Sequence, residues 1–229
     1  MGTQRKVMTG QDTFHRYTSA MLDLPEEIRA ALAFMRGHLR GLIRFDTEYL
    51  PIRVVFAPDG RLVAPVMESM LLSTDCAIYL PEEPENQDDE IVQLMVTLER
   101  FEENGPDGAL ADRWRIYHGE PEDVRWAAMT VDFCKFGGFA FDGEAVMQAN
   151  PLAPTEAAIC RRVNDGHVAA LRSAVQRRVS VELEEPRLVG VDPLGLDVRG
   201  RFDVVRVPSE VVLDSAETAD REIDSLLGA

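Results

Sequence analysis

"RRVNDGHVAALRSAV", residues 161–175, is the stretch on which the reading of this chain turns. At 100° per residue, Val163, His167, Ala170, Leu171 and Ala174 share one face, while Arg161, Asp165, Arg172 and Gln176 lie toward another. The spacing predicts one amphipathic helix over about 155–178, with His167 on its apolar side. Gly166 costs a helix interior roughly 1 kcal/mol relative to alanine. It is there either because something approaches the backbone closely or because the position tolerates it. A histidine on an apolar face must find partners for its ring nitrogens. A core residue bonded to a backbone carbonyl is the simpler reading of His167, and a ligand or catalytic role is the alternative.

Outward from this helix, short strands are expected near 180–184, 187–192, 196–199 and 202–207. A closing helix is expected at 215–227, with Asp214 and Glu217 at capping-box spacing. Upstream, "NPLAPT" (150–155) has two prolines and no periodicity, and reads as a boundary. Before it the texture is mostly β. Ile28, Leu32, Met35, Leu39 and Leu42 predict a helix over 24–45, with His38 beside its apolar stripe as an ordinary boundary residue. Two β-rich runs over 50–67 flank Pro58-Asp59-Gly60, a hairpin signal. Strands are expected at 75–83 and 90–103, the acidic run 83–90 between them being solvated. Short helices follow at 109–119 and 121–129, then a hairpin over 130–147 bent at Gly137-Gly138. Asp132, between apolar residues of that hairpin, is expected to be a buried, hydrogen-bonded acid.

The formal net charge is −16, and Lys6 and Lys135 are the only lysines. Such a field repels phosphate backbones and anionic lipid surfaces, so neither nucleic acid nor membrane is an expected partner. Cys76, Cys134 and Cys160 are odd in number and form no CxxC pair. Buried free thiols in a reducing, cytoplasmic setting are expected, and the cysteines and histidines have no zinc-ligand spacing. No signal core or membrane span is apparent, and residues 1–22 are expected to be flexible. Gly-x-Ser-x-Gly, P-loop and Rossmann signatures are absent.

"RRVNDGHVAAL" resembles the His-Met-Asn-x-Asp-His-x-x-Ala-Leu helix of a small C-terminal domain. That domain occurs in heme-iron-utilisation proteins and in chloroplast proteins that bind glutamyl-tRNA reductase. Asn164, His167, Ala170 and Leu171 stand at matching positions; Arg162 and Gly166 depart from the pattern. "LVGVDPLGLDVRG" (188–200) is similar to the same domain's Gly-x-Asp-Pro-x-Gly hairpin. In that family the domain follows a pyridoxamine 5'-phosphate oxidase-like split β-barrel, and "DRWRIYHGEP" followed by "VDF" resembles part of it. The resemblance implies an α+β fold. An FMN-binding-type split barrel over 23–149 would precede a small α/β domain over 150–229, and two chains would pair as a homodimer through the barrels.

It also implies where a cofactor would sit. Flavin-binding relatives carry Arg-x-Val-Leu-Leu-Lys in the first hairpin and Ser-x-Lys in the next strand. Here Arg53, Val55 and Ser69 are kept, but Pro58 and Leu71 replace the two lysines. Arg61 and Arg113 are the candidate substitutes on a flavin phosphate. For heme, the axial ligand would come from His118, His167, His38, His15, or a tyrosine or cysteine. His118, beside an arginine-bearing helix, is the first choice, against a plain surface histidine at a helix C-terminus. The functional expectation is a heme- or flavin-associated protein, with oxidoreductase activity one option. The alternative is a non-catalytic binding or regulatory module that has lost its cofactor groups.

Overall fold

The computed structural model describes residues 23–82, 90–122 and 124–228. The expected flexible segment 1–22 and almost all of the acidic run 83–90 lie outside the described residues, as does His15. The fold is α+β: a curled antiparallel split barrel followed by a small α/β unit.

Helix α1 (Glu26–Gly37) opens the described chain, with Glu26 and Glu27 in its first turn. Strands β1 (Arg40–Phe45), β2 (Glu48–Arg53), β3 (Val55–Phe56) and β4 (Leu62–Val66) follow. After the short helix α2 (Glu68–Leu72) come β5 (Cys76–Leu80) and the ten-residue β6 (Val92–Phe101). Helix α3 (Gly108–His118) precedes the twelve-residue β7 (Arg125–Phe136), β8 (Phe139–Asp142) and one turn of helix, α4 (Gly143–Val146). All eight strands form one sheet in the order β2-β1-β5-β6-β7-β4-β3, with β8 pairing the second half of β7. The two ends of this path, β2 and β3, are consecutive in the chain and joined only through Val54. A sheet whose opposite ends are linked by one residue must curl back on itself, and β2 does contact β4. Ile43, Leu62, Ile78, Leu94 and Met129 are fully buried within the curl.

Beyond α4 the chain forms α5 (Ala153–Gly166), α6 (Val168–Val179), strands β9 (Arg187–Asp192), β10 (Gly195–Arg199) and β11 (Val204–Pro208), and α7 (Ala216–Leu227). The three strands form a separate antiparallel sheet, with β10 central. A second cluster of buried side chains, including Leu152, Val163, Leu171, Leu188, Val198 and Ile223, lies between this sheet and the helices.

Several expectations change. The predicted helix 24–45 stops at Gly37, and its second half is β1. Burial alternates along β1, with Gly41, Ile43 and Phe45 inward. Leu39 and Leu42 fit both periods, so the pattern alone could not separate them. A side chain at Gly41 would strike the carbonyl of Tyr79, so β1 can pair β5 this closely only with glycine there. The predicted helix 121–129 is instead the start of β7. Trp126, Ala127, Ala128 and Met129 are all buried, so no alternation is visible. No strand forms at 180–184; Ser180, with φ 58°, caps α6 in the left-handed region, and Leu183 tucks into the second cluster.

The helix expected over 155–178 is two helices that break at His167. Its φ of −131° and ψ of 22° leave the helical region. His167 N–H donates to the Val163 carbonyl, closing α5, and its own carbonyl accepts from Leu171 N–H, opening α6. Gly166 thus ends a helix instead of weakening the middle of one. Asp132 is exposed and accepts a 2.8 Å hydrogen bond from the Thr97 hydroxyl. At α7 the N-cap is Ser215, whose hydroxyl accepts from Thr218 N–H; Asp214 instead accepts from the Thr218 hydroxyl. Among the described residues no helix is long and apolar enough to cross a membrane.

Candidate functional site

The link between β2 and β3 organises the region around the candidate residues. Its carbonyls point away from the strand ladder and need donors. Helix α3 supplies them: Trp114 Nε1 donates to the Arg53 carbonyl at 2.9 Å, and His118 Nε2 to the Val54 carbonyl at 3.0 Å. Arg113 Nε donates to the Phe56 carbonyl at 2.7 Å. Arg53, Val55, Arg113 and His118 are therefore brought together, with the latter two gripping the backbone of the β2–β3 segment. The Arg53 side chain is exposed and the Val55 side chain is fully buried in the barrel core. Arg61 Nε meets Asp59 at 2.8 Å, and its guanidinium is 3.7 Å from Glu99. Ser69 is exposed on α2. His167 is half-buried at the break between α5 and α6 and makes none of these contacts.

A flavin phosphate needs several unengaged donors at one place. Arg113 is held bidentate by Glu156, at 2.6 and 3.0 Å, and Arg61 faces two carboxylates. Among the described residues of one chain, the candidate arginines do not converge on an unpaired phosphate cradle.

His118 and His38 line the same cleft, of about 510 Å3, with Leu39, Arg40, Pro81 and Asp203. Both rings use one nitrogen on a main-chain carbonyl. Because a carbonyl only accepts, His118 carries its proton on Nε2. Burial lowers its pKa to about 4, and the nearby Arg53, Arg40 and Arg199 push in the same direction against the opposing bond to Val54. His118 is thus neutral at pH 7, packed on Trp114 with ring centroids 4.9 Å apart. His38, which follows α1, donates from Nδ1 to the Phe34 carbonyl at 2.8 Å and packs on the Phe34 ring at 4.2 Å. Nε2 of His38 has no hydrogen-bond partner among the described residues. An Nδ1–H to carbonyl bond of this kind fixes the tautomer of metal-bound histidines. The signal in the sequence is weak, because the apolar spacing through Leu39 and Leu42 carries a helix past His38, whereas α1 ends at Gly37.

A network of buried charge joins the barrel to the C-terminal unit. Asp192 accepts from Arg206 at 2.5 and 2.9 Å and from Arg36 at 3.4 Å. Asp197 accepts from Arg206 and from the Tyr117 hydroxyl, each at 2.9 Å. Arg113 lies 3.3 Å from that hydroxyl and continues to Glu156, which also accepts from Val191 N–H at 2.9 Å. Burial opposes ionisation of Asp192, but Arg206 and then Arg36 outweigh it and hold its pKa down at about 2. Burial, with Asp197 adding, raises the Tyr117 phenol well above its ordinary value, so it serves as a neutral donor. Among the described residues no buried side-chain nitrogen or oxygen lacks a partner. The Gly-x-Asp-Pro-x-Gly segment is central here. Asp192 both caps the β9–β10 turn through Leu194 N–H and anchors the network, and a Cβ at Gly190 would collide with the Tyr117 hydroxyl.

No family model matches the chain, and no curated protein matches it significantly. Among solved structures it is similar to a protein of unknown function from Agrobacterium tumefaciens str. C58. The TM-score is 0.70 at 14% identity, over 88% of this chain and 95% of that one. It also matches a heme-binding protein from Mycobacterium smegmatis with TM-score 0.46 and 18% identity, over 89% of this chain and 97% of the other. At 14% identity the likeness to the Agrobacterium protein is one of fold.

Proposed function

We propose that this chain is a heme-binding split-barrel protein that takes the iron on Nε2 of His38, in the cleft shared with His118. The observation that carries this reading is the pair of oriented imidazoles. His38 keeps Nε2 for a ligand because Phe34 holds Nδ1, whereas His118 spends Nε2 on Val54. The residues around the cleft suit the group: Leu39, Pro81 and Val204 offer apolar surface, and Arg40 offers a cation for a propionate. Arg40 already meets Asp203 at 2.5 Å, so a propionate there would compete with that carboxylate. Bound heme supplies an iron centre for electron transfer or oxygen chemistry. His118, neutral and with its proton fixed on Nε2, packs the cleft wall and serves as a positioning residue. Flavin is disfavoured in this reading because Arg61 and Arg113 are already paired with carboxylates.

The reading keeps a homodimer formed through the barrels and a division near residue 150. It also keeps a cytoplasmic setting, suggested by three free thiols. Met95, on the outer face of β6, and Phe139, at the start of β8, are exposed apolar side chains available to a second copy. A non-catalytic module without a cofactor is the second reading, supported by the pairing of the candidate flavin arginines Arg61 and Arg113 with carboxylates.

Hemin titration followed by the Soret band separates the two. The heme reading expects saturable binding well below about 100 µM, a level equivalent to about −5.5 kcal/mol. No saturable binding in that range would leave the non-catalytic module.

A further inference from the structure

A second cavity, of about 640 Å3, lies between α3 of the barrel and the edge of the C-terminal sheet, separate from the histidine cleft. Arg113, Arg187, Arg199 and Arg201 line it, against two carboxylates, Glu156 and Glu185. Glu156 is already consumed by Arg113 and the Val191 amide. The remaining arginines are an excess of positive charge in a chain whose net charge is −16.

Their placement is specific. Arg187 and Arg199 are direct cross-strand partners on β9 and β10, and like charges in that relation destabilise a sheet unless something compensates them. Arg199 is oriented by main-chain carbonyls at the C-terminal end of α3, Ile116 at 2.8 Å and Arg115 at 3.4 Å. Those partners aim the guanidinium without neutralising it by a carboxylate. The Arg187 side chain has no hydrogen bond or ion pair with any described residue and is exposed. Arg201 lies over the Phe202 ring, with Glu184 at 3.6 Å. The same cavity has an apolar wall formed by Val189, which is part-buried, and Ile116, which is 53% exposed although it sits on a packed helix.

We infer that this cavity binds a small organic anion, its phosphate or carboxylate bridging Arg187 and Arg199 and its apolar portion covering Ile116 and Val189. Paired guanidinium forks match either anion, and the adjoining apolar wall distinguishes an organic anion from an inorganic one. The inferred role is binding: among the described residues the thiol lining the cavity, Cys160, is pushed up by burial to about 12.

The test is calorimetric titration of the full chain at low salt with phenyl phosphate, benzoate and inorganic phosphate. At least one organic anion should bind at least tenfold more tightly than inorganic phosphate, and the stronger of the two identifies the head group. Arg187→Ala should weaken it by tenfold or more. Arg221→Ala, which removes an exposed arginine on α7 paired with Glu217, should change nothing. Thermal melting gives a second readout. Without ligand, Arg187→Ala should melt at or above the parent temperature because a like-charge pair is relieved, and phenyl phosphate or benzoate should raise the parent's melting temperature but not the variant's. No saturable binding of either organic anion, equal affinity for inorganic phosphate, or unchanged affinity in Arg187→Ala would each overturn the inference.

Discussion

The Tyr117 hydroxyl donates to Asp197 Oδ2 at 2.9 Å, a buried bond that ties helix α3 of the barrel to strand β10 of the C-terminal unit. Both groups are buried, and Arg113 and Arg206 extend the contact on either side. The relationship requires Gly190, the cross-strand partner of Asp197, to have no side chain.

Tyr117→Phe removes the donor and leaves a carboxylate oxygen in a buried site. A loss of about 1–3 kcal/mol is expected, read as a lower midpoint in urea unfolding with an unchanged slope. Gly190→Ala should be more harmful, because its methyl would occupy the place of the hydroxyl. The two changes should be non-additive: in the Tyr117→Phe background the alanine meets less obstruction, and a double-mutant cycle should show the coupling. Strict additivity would contradict this packing.

Arg113→Met should cost about 3–5 kcal/mol, because it strands the buried Glu156 carboxylate. Adding Glu156→Gln should recover part of the loss. Chemical denaturation of the two variants checks this, and a double variant no better than the single would show that Arg113 acts through packing alone.

The architecture was legible wherever one physical signal stood alone. Pro58-Asp59-Gly60 marked the β3–β4 hairpin, Gly137-Gly138 the β7–β8 turn, and alternation over Leu94, Val96 and Leu98 the long β6. Errors arose where two signals coincided. Leu39 and Leu42 suit helix and strand periods alike, and the start of β7, buried on both faces, shows no period. Gly166-His167 looked like a weak point inside a helix, although glycine beside a residue leaving helical geometry also ends one. The candidate site was less legible than the fold. Arg113 could be nominated for a phosphate, but its partner Glu156 is 43 residues away in sequence. The tautomers of His38 and His118 depend on the carbonyls of Phe34 and Val54, which no composition or spacing reveals.

Acid should act in two stages. The folded pKa of His118, about 4, lies below its ordinary 6.5. Between these values the unfolded chain holds more protons, so stability is complete above pH 6.5 and falls as pH drops toward 4. Asp192, depressed from 3.8 to about 2, contributes stability that is complete above pH 4 and is lost as pH falls through 2. Urea unfolding across pH 2–7 should show both slopes. His118→Gln should flatten the upper one and leave the lower, and Asp192→Asn should lower stability at pH 7 and flatten only the lower one.

Flavin mononucleotide should not bind measurably at about 100 µM, and Arg61→Ala should not alter that result, because the Arg61 side chain is engaged by Asp59. Fluorescence quenching of the flavin is a sufficient assay. Tight, saturable quenching would show that a cradle forms from residues other than those considered.

The most direct test of the histidine cleft is hemin binding to the parent, His38→Ala and His118→Ala proteins, with imidazole then added to each. The parent should give a shifted Soret band. His38→Ala should lose the histidine-type spectrum and regain it with imidazole, while His118→Ala, which removes a wall residue, should keep iron ligation with weaker affinity. A His38→Ala protein with the parent's spectrum and affinity, or a parent with no saturable Soret shift, would contradict the assignment.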